Sequence, residues 1–326
     1  MSKSTPTITQ RKVAAYLAPR PRNSHKGMFG AVTVIGGAMG MVGAALLAGR
    51  AALKLGAGCV HVGLMAEDAP ALDTIQPELM LHKAQDALHA FLLPNGPLAS
   101  TDGTTSHSTR LPKDGSQVAG YPPAGKGANV KRIFNSALAV GCGMGTSIPA
   151  QIILHDALRT RAPLVLDADA LNLLARHADL QDDLRARRAP VIITPHPGEA
   201  ARLLGTDTAT IQADRIRAAR RLAEKLHCAV ALKGADTVCI TREGEAFVNK
   251  TGNPGMSAPG MGDVLTGMIA AFIAQGLNAD QAMLLAVHLH GAAGDALAAE
   301  GVAVGMTASE VTEWARWLLN QWTPHK

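Results

Sequence analysis

Ser257 to Gly267 reads SAPGMGDVLTG: Gly260 and Gly262 flank Met261, Asp263 follows, and an apolar run begins. A helix that starts near Asp263 leaves its first N–H groups without intrahelical partners. The helix dipole adds partial positive charge at that end, and glycines let a bulky anion such as phosphate reach the bare backbone. A carboxylate there is not needed to bind an anion and would repel one. Its better use is as a base for a hydroxyl about to attack phosphorus. The competing reading makes Asp263 an N-capping residue behind a flexible loop.

Five further turns carry compatible chemistry. In LKGADTV, the main-chain groups of Lys233, Gly234, Ala235, Asp236 and Thr237 follow a strand and are placed to hold a nucleotide phosphate or ribose. A β-turn with a surface lysine is the plainer alternative. In TPHPGEA, two prolines fix the backbone around His196, which can hydrogen-bond a ligand, and Glu199 opens a helix where it could bind magnesium through water. GGAMGMVGAAL, which contains Ala44, and GCGMG, which contains Gly143 and Gly145, are glycine turns between a strand and a helix. The spacing Gly37-x-x-Gly40-x-x-Gly43 departs from G-x-G-x-x-G, although Glu67 and Asp68 after the next strand keep a nicotinamide dehydrogenase as a rival. LDADALN adds Asp167, Asp169 and Asn172, as ligands for substrate or metal or as helix caps. His288 and His290 lack the i, i+4 spacing of two ligands on one helix face and read as structural.

These turns need strands to hold them. AVTVIGG, CVHVGL, SALAV, PLVL and PVII are short apolar runs ending in turn residues, and apolar-periodic helices follow or precede them. The alternation predicts an α/β fold, a doubly wound, mostly parallel sheet with helices on both faces. Ligands bind such sheets at the carboxyl ends of the strands. Residues 1–326 read as a single domain. Pro94–Asn129 interrupts the rhythm with Pro, Gly, Ser and Thr, and reads as a disordered or mobile insertion rather than a boundary.

Composition narrows the class. Hydrophobic residues are 47% and aromatic residues 3%, so Ala, Val, Leu, Ile and Met fill the core. A net charge of +5 suits anionic small molecules, while the scarcity of stacking aromatics argues against nucleic acid. The 4 cysteines are dispersed and read as reduced thiols. The N-terminal stretch lacks a signal-peptide core, and no apolar run approaches the about 18 residues of a membrane span. The expectation is a cytoplasmic protein without a membrane partner.

HKGMFGAVTVIGGAMGMVGAALLAGRAALKLGAG, VLDADALNLLA, ITPHPGEAARLLG, LKGADTV and GNPGMSAPGMGDVLTGMIAAFIAQGL, in that order, resemble the ADP-dependent NAD(P)H-hydrate dehydratases, metabolite-repair enzymes of ribokinase-like fold. The resemblance covers nearly the whole chain apart from the first two dozen residues and the insertion. It implies that ADP (or ATP), with Mg2+, phosphorylates the C6 hydroxyl of hydrated NAD(P)H (NADHX or NADPHX), and that loss of phosphate restores the dihydropyridine. It assigns Asp263 as base. Gly262 and Lys233 to Thr237 correspond to AMP-binding positions, and Ala44, Gly143, Gly145, His196 and Asp263 to hydrate-binding positions. Glu199 corresponds to a magnesium-associated glutamate of related kinases.

The resemblance further implies a homotetramer, with apolar helices such as Gln281–Glu300 suited to an interface. No companion epimerase domain is recognisable, so activity on the S epimer, alongside a separate epimerase, is expected. The usual Gly-Pro-Gly turn reads Gly141-Cys142-Gly143, which loses a rigidifying proline. A vitamin-precursor kinase of the hydroxyethylthiazole type is the alternative activity.

Overall fold

Successive strand residues point to opposite faces of a sheet, so strands that are apolar throughout must be covered on both sides. The computed structural model, which describes residues 5–92 and 136–324, bears this out. Its strands are β1 (Ala31–Gly36), β2 (Cys59–Leu64), β3 (Met80–Lys83), β4 (Ser136–Val140), β5 (Leu164–Leu166), β6 (Val191–Ile193), β7 (Ala229–Leu232), β8 (Val238–Ile240) and β9 (Ala246–Val248). Its helices are α1 (Gln10–Ala14), α2 (Val42–Lys54), α3 (Ala84–Leu92), α4 (Ile148–Arg159), α5 (Asp169–Arg176), α6 (Ala178–Arg185), α7 (Pro197–Leu204), α8 (Thr208–Ala213), α9 (Arg215–Leu226), α10 (Met261–Ala274), α11 (Ala279–Ala299) and α12 (Ala308–Trp322). The Pro94–Asn129 segment lies outside the described residues.

The strands form a 9-stranded sheet in the order β3-β2-β1-β4-β5-β6-β7-β8-β9. Pairing is parallel from β3 through β7, and β8 and β9 close one edge antiparallel. Alternation divides the interior into two cores. Val32, Val34, Ala137, Ala139, Val165, Ile192, Ala229 and Ala231 face α2, α10 and α11. Ile35, Leu138, Val140, Leu164, Leu166, Ile193, Val230 and Leu232 face α4, α5, α7 and α9. The first face is rich in alanine, which lets its helices approach closely. There, a Cβ on Gly267 would meet the Ala48 carbonyl oxygen at 2.1 Å, so α10 and α2 cross nearly backbone to backbone.

The chain runs β1 to β3 in one direction along the sheet, then places β4 on the other side of β1 and continues to β7. The reversal between β1 and β4 is a topological switch point, where the two flanking turns diverge and open a crevice. Those turns are the glycine turns at 36–43 and 141–145. They brace one another: Gly37 N–H donates to the Cys142 carbonyl (2.9 Å) and Ala38 N–H to the Gly143 carbonyl (2.6 Å).

Three features depart from the sequence reading. Strand β3, helix α3 and the C-terminal helix α12 have no counterpart in the sequence reading; β3 carries no apolar signal because its four residues are half-buried or exposed at a sheet edge. Helix α11 does have a membrane span's length and apolarity, with mean hydropathy 1.3 over its window, yet 67% of that window is buried inside the protein. Since Ala282–Leu289 lie in the core, this helix is also not a free face for an interface. It is apolar because α10, α12 and the sheet surround it.

Candidate active site

Helix α10 opens at Gly260, whose φ of +87° favours glycine, and no side chain caps this end. A Cβ on Gly260 would also lie 2.6 Å from Leu47 Cδ1. The N-cap role therefore belongs to Gly260, and Asp263, in the first turn, makes no capping bond. Its carboxylate is half-buried and lies within electrostatic reach of Asp167, Asp169 and Lys233.

Beneath this turn lies a buried ion pair. Lys233 Nζ, arriving from the end of β7, is 2.6 Å from Asp167 Oδ1 at the end of β5. Thr266 Oγ1 donates to Asp167 Oδ2 at 3.0 Å. Asp167 is 1% exposed, so these two partners satisfy a charge cut off from water. A Cβ on Gly262 would lie 3.1 Å from Lys233 Nζ and 3.2 Å from Asp167 Oδ2. The space beside Gly262 is thus held by an ammonium and a carboxylate, where the sequence reading expected glycine to clear room for the anion itself. A fixed cation now reinforces the helix dipole.

Burial pushes Asp263 up to about 6; Asp167 and Asp169 push the same way, and the Cys142 thiol and Lys233 oppose them. Burial works against the Lys233 charge, but Asp167 and Glu199 together keep its ammonium above the ordinary lysine value. Above pH 6 the site therefore holds an ionised acid beside a protonated lysine.

The neighbouring loops are tied to this centre. Lys233 N–H donates to the Pro195 carbonyl at 2.8 Å. His196 caps α7: its Nδ1 accepts from the N–H groups of Gly198 (3.0 Å) and Glu199 (3.4 Å). Nε2 therefore carries the proton and lies 3.3 Å from Glu199 Oε1. Glu199 Oε2 accepts from the His196 N–H at 2.8 Å, completing a capping box. Burial pushes Glu199 up to about 7.

A carboxyl half protonated at neutral pH, with both oxygens engaged by one histidine, is a poor direct ligand for magnesium. Among the described residues, no group of three His, Cys, Asp or Glu side chains is gathered for a metal ion. These side chains do not cage Mg2+ directly; the contact expected of Glu199 from the sequence is one through water, with nucleotide phosphates completing the shell.

The family model described as NAD(P)H-hydrate dehydratase matches residues 32–316. The chain belongs to this family. It is 38% identical to the ADP-dependent (S)-NAD(P)H-hydrate dehydratase of Neisseria meningitidis over 93% of its own length and 90% of that protein. It resembles the structure of an ADP/ATP-dependent NAD(P)H-hydrate dehydratase from Bacillus subtilis crystallised with ATP and Mg2+ (TM-score 0.75, 27% identity, 98% and 100% of the two chains covered). A ribokinase-like superfamily protein of Enterococcus faecalis shares the fold, at TM-score 0.76 and 23% identity over 99% and 98% of the chains. The chain spans about half the length, 56% and 53%, of the bifunctional NAD(P)H-hydrate repair enzymes of Coxiella burnetii and Moorella thermoacetica. The sheet is thus that of a ribokinase-like dehydratase family, and the dehydrogenase rival falls away.

For a member of this family, the positions singled out in the sequence gather in three groups. Asp263, Gly262 and Lys233 meet at the start of α10. Ala44 and Gly143 meet at the switch point, where a Cβ on Gly143 would lie 3.0 Å from the Ala44 Cβ. Gly145 is beside them, but its N–H is already donated to Asp169 Oδ2 at 2.9 Å. The third group is the exposed turn Gly234, Ala235 and Asp236, closed by Thr237 Oγ1 donating to the Gly234 carbonyl at 3.0 Å. Arg215 Nη2 braces it from below, donating to the carbonyls of Leu232 (3.0 Å) and Lys233 (3.2 Å). The Lys233 side chain is not a surface lysine: it turns inward to Asp167.

The sequence reading did not reach Thr266 or Arg215, and it weighed Asp167 as a ligand or helix cap, not as the partner of Lys233. Asp167 carried a signal, an acid directly after a fully apolar strand, but its partner is 66 residues away. Burial holds the His290 ring at about 4, hence neutral, and its buried Nε2 has no hydrogen-bond partner among the described residues.

Proposed function

We propose that this protein dehydrates the S epimer of hydrated NAD(P)H, using ADP and releasing AMP and phosphate. Asp263 carries the reading. It is an acid poised near pH 6 at an uncapped helix N-terminus, with the Lys233 ammonium fixed under the same turn. The names of the Neisseria and Bacillus relatives support the substrate and the nucleotide.

In this reading Asp263 takes the proton of the C6 hydroxyl as its oxygen attacks the β-phosphorus of ADP, and AMP leaves. The free N–H groups of α10 and Lys233 stabilise charge on the transferred phosphoryl group. The ring nitrogen lone pair then expels phosphate from C6, and loss of a C5 proton restores the dihydropyridine. The crevice beside Ala44 and Gly143 takes the nicotinamide nucleotide, and the exposed Gly234–Asp236 turn takes the adenine nucleotide. Mixing the protein with ADP and hydrated NADPH should restore absorbance at 340 nm. No recovery over the unenzymic rate rejects the activity. Phosphorylation of hydroxyethylthiazole in its place would favour the kinase alternative, which family membership sets aside.

His196 has two separable roles in this scheme, capping α7 and facing the substrate. His196→Ala should lose about 1 kcal/mol of stability with the cap. His196→Asn should keep that stability, because asparagine caps well, while either change raises KM for the hydrate about tenfold. Melting curves and steady-state kinetics on both variants check this; an unchanged KM in His196→Asn removes the ring from substrate binding.

A further inference from the structure

The run HLHGAAGD, residues 288–295, lies inside α11 and carries two glycines where glycine weakens a helix. What they admit is a loop. A Cβ on Gly291 would lie 2.3 Å from Thr251 Oγ1 and 2.6 Å from the Thr251 carbonyl oxygen, and one on Gly294 would lie 2.3 Å from Met256 Sδ. The segment from Thr251 to Met256 therefore rests on bare α11 backbone. Asp295, the next residue of the helix, holds it there. Its Oδ2 accepts from the Gly252 N–H at 2.9 Å, and its Oδ1 from Asn253 Nδ2 at 3.1 Å. Thr251 Oγ1 adds a bond to the His288 carbonyl at 2.9 Å.

This segment joins the two parts of the proposed nucleotide site. Upstream, Asn249 N–H donates at 2.9 Å to the carbonyl of Thr237, the residue that closes the Gly234–Asp236 turn. Downstream, the chain reaches Gly260 and the uncapped amides of α10. We infer that Asp295 is a positioning residue for phosphoryl transfer: its clamp on Gly252 and Asn253 fixes the span between the adenine-nucleotide turn and the phosphate-facing amides of α10. The inference rests on the reading of those two parts as one ADP site. Asp295 acts through the main chain and touches no substrate. A displacement of about 1 Å in such a site can cost about a hundredfold in rate. The clamp is poorly placed to serve stability alone, because Gly252 is exposed and Asn253 half-buried, so water can replace the carboxylate at either donor.

The test compares Asp295→Ala with Asp295→Asn, which keeps an acceptor for the Gly252 N–H. With ADP and hydrated NADPH, Asp295→Ala should lower kcat about ten- to a hundredfold. KM for the hydrate should hold, since the crevice at Ala44 and Gly143 is built from other loops, and the melting temperature should change little. Asp295→Asn should fall between alanine and wild type. An alanine variant that keeps kcat overturns the inference. So does one whose hydrate KM and melting temperature deteriorate together with kcat, the pattern of general disruption. Should alanine fail to fold, the same split read in Asp295→Asn decides.

Hydrogen exchange gives a readout without turnover, with AMP as the probe. In the wild type, AMP should slow exchange at both 233–237 and 250–262. In Asp295→Ala the first protection should stay and the second should be lost. Equal protection in the two proteins overturns the inference, as does a wild type that AMP protects at neither segment. A wild-type protein that binds AMP but lacks dehydratase activity rejects the functional reading, and the exchange pattern then still decides whether Asp295 couples the two parts.

Discussion

Asp263→Asn is expected to lower dehydration turnover by about three orders of magnitude, the range for removing a positioned general base. Adenine nucleotide binding should survive, because the Gly234–Asp236 turn and the free amides of α10 do not depend on that carboxylate. The same substitution should stabilise the fold at neutral and alkaline pH. Burial has raised Asp263 from the ordinary aspartate value of 3.8 to about 6. At pH 8 the group is charged in both states, and the folded state bears the cost of burying that charge. Below about pH 4 it is neutral in both states and costs nothing.

The advantage of asparagine should therefore be absent near pH 3.5, grow as pH rises through 4 to 6, and level off above. Its size is on the order of 1–3 kcal/mol, from the span of the shift. Melting temperatures of the two proteins at pH 4 and pH 8, beside their turnover numbers, test both halves. Unchanged turnover takes Asp263 out of the chemistry. A variant that gains stability while losing activity is the signature of a carboxylate held charged for function.

The second large effect concerns the ion pair below. Lys233→Met should destabilise the protein by about 3–5 kcal/mol, because Asp167 is left charged and buried with the Thr266 hydroxyl as its remaining partner. Turnover should fall about a hundredfold, since the fixed cation beside Gly262 is gone. The two consequences separate in the double variant Lys233→Met/Asp167→Asn. Neutralising Asp167 removes the orphaned charge, so the denaturant midpoint should recover most of its loss, while turnover stays low. Recovery of both would mean that Lys233 serves the fold alone. Recovery of neither would place the defect elsewhere, at the main-chain contact between Lys233 and Pro195.

Most of the parallel sheet was legible in the chain because each strand is a short apolar run with glycine, proline or aspartate at its end. Those strands are buried on both faces, and water-exposed alternation is not needed to mark them. β3 escaped because an edge strand of four half-exposed residues carries no such signal. Helix α11 has a span's length and apolarity because protein surrounds it, and local hydropathy cannot tell protein interior from lipid.

The sequence by itself determined the chemistry available: an acid at a glycine-flanked helix start, and glycine turns behind several strands. Main-chain recognition is written locally, in residue types and spacing, so it can be read without coordinates. Only the tertiary structure decided which side chains share a volume. It turned Lys233 inward to Asp167 and brought Thr266 to the same carboxylate. Those pairings join the ends of β5 and β7 to the first turns of α10. They exist because a parallel sheet delivers the ends of β4, β5, β6 and β7 to one edge, about 4.8 Å apart, where burial forces each charge and donor to find a partner.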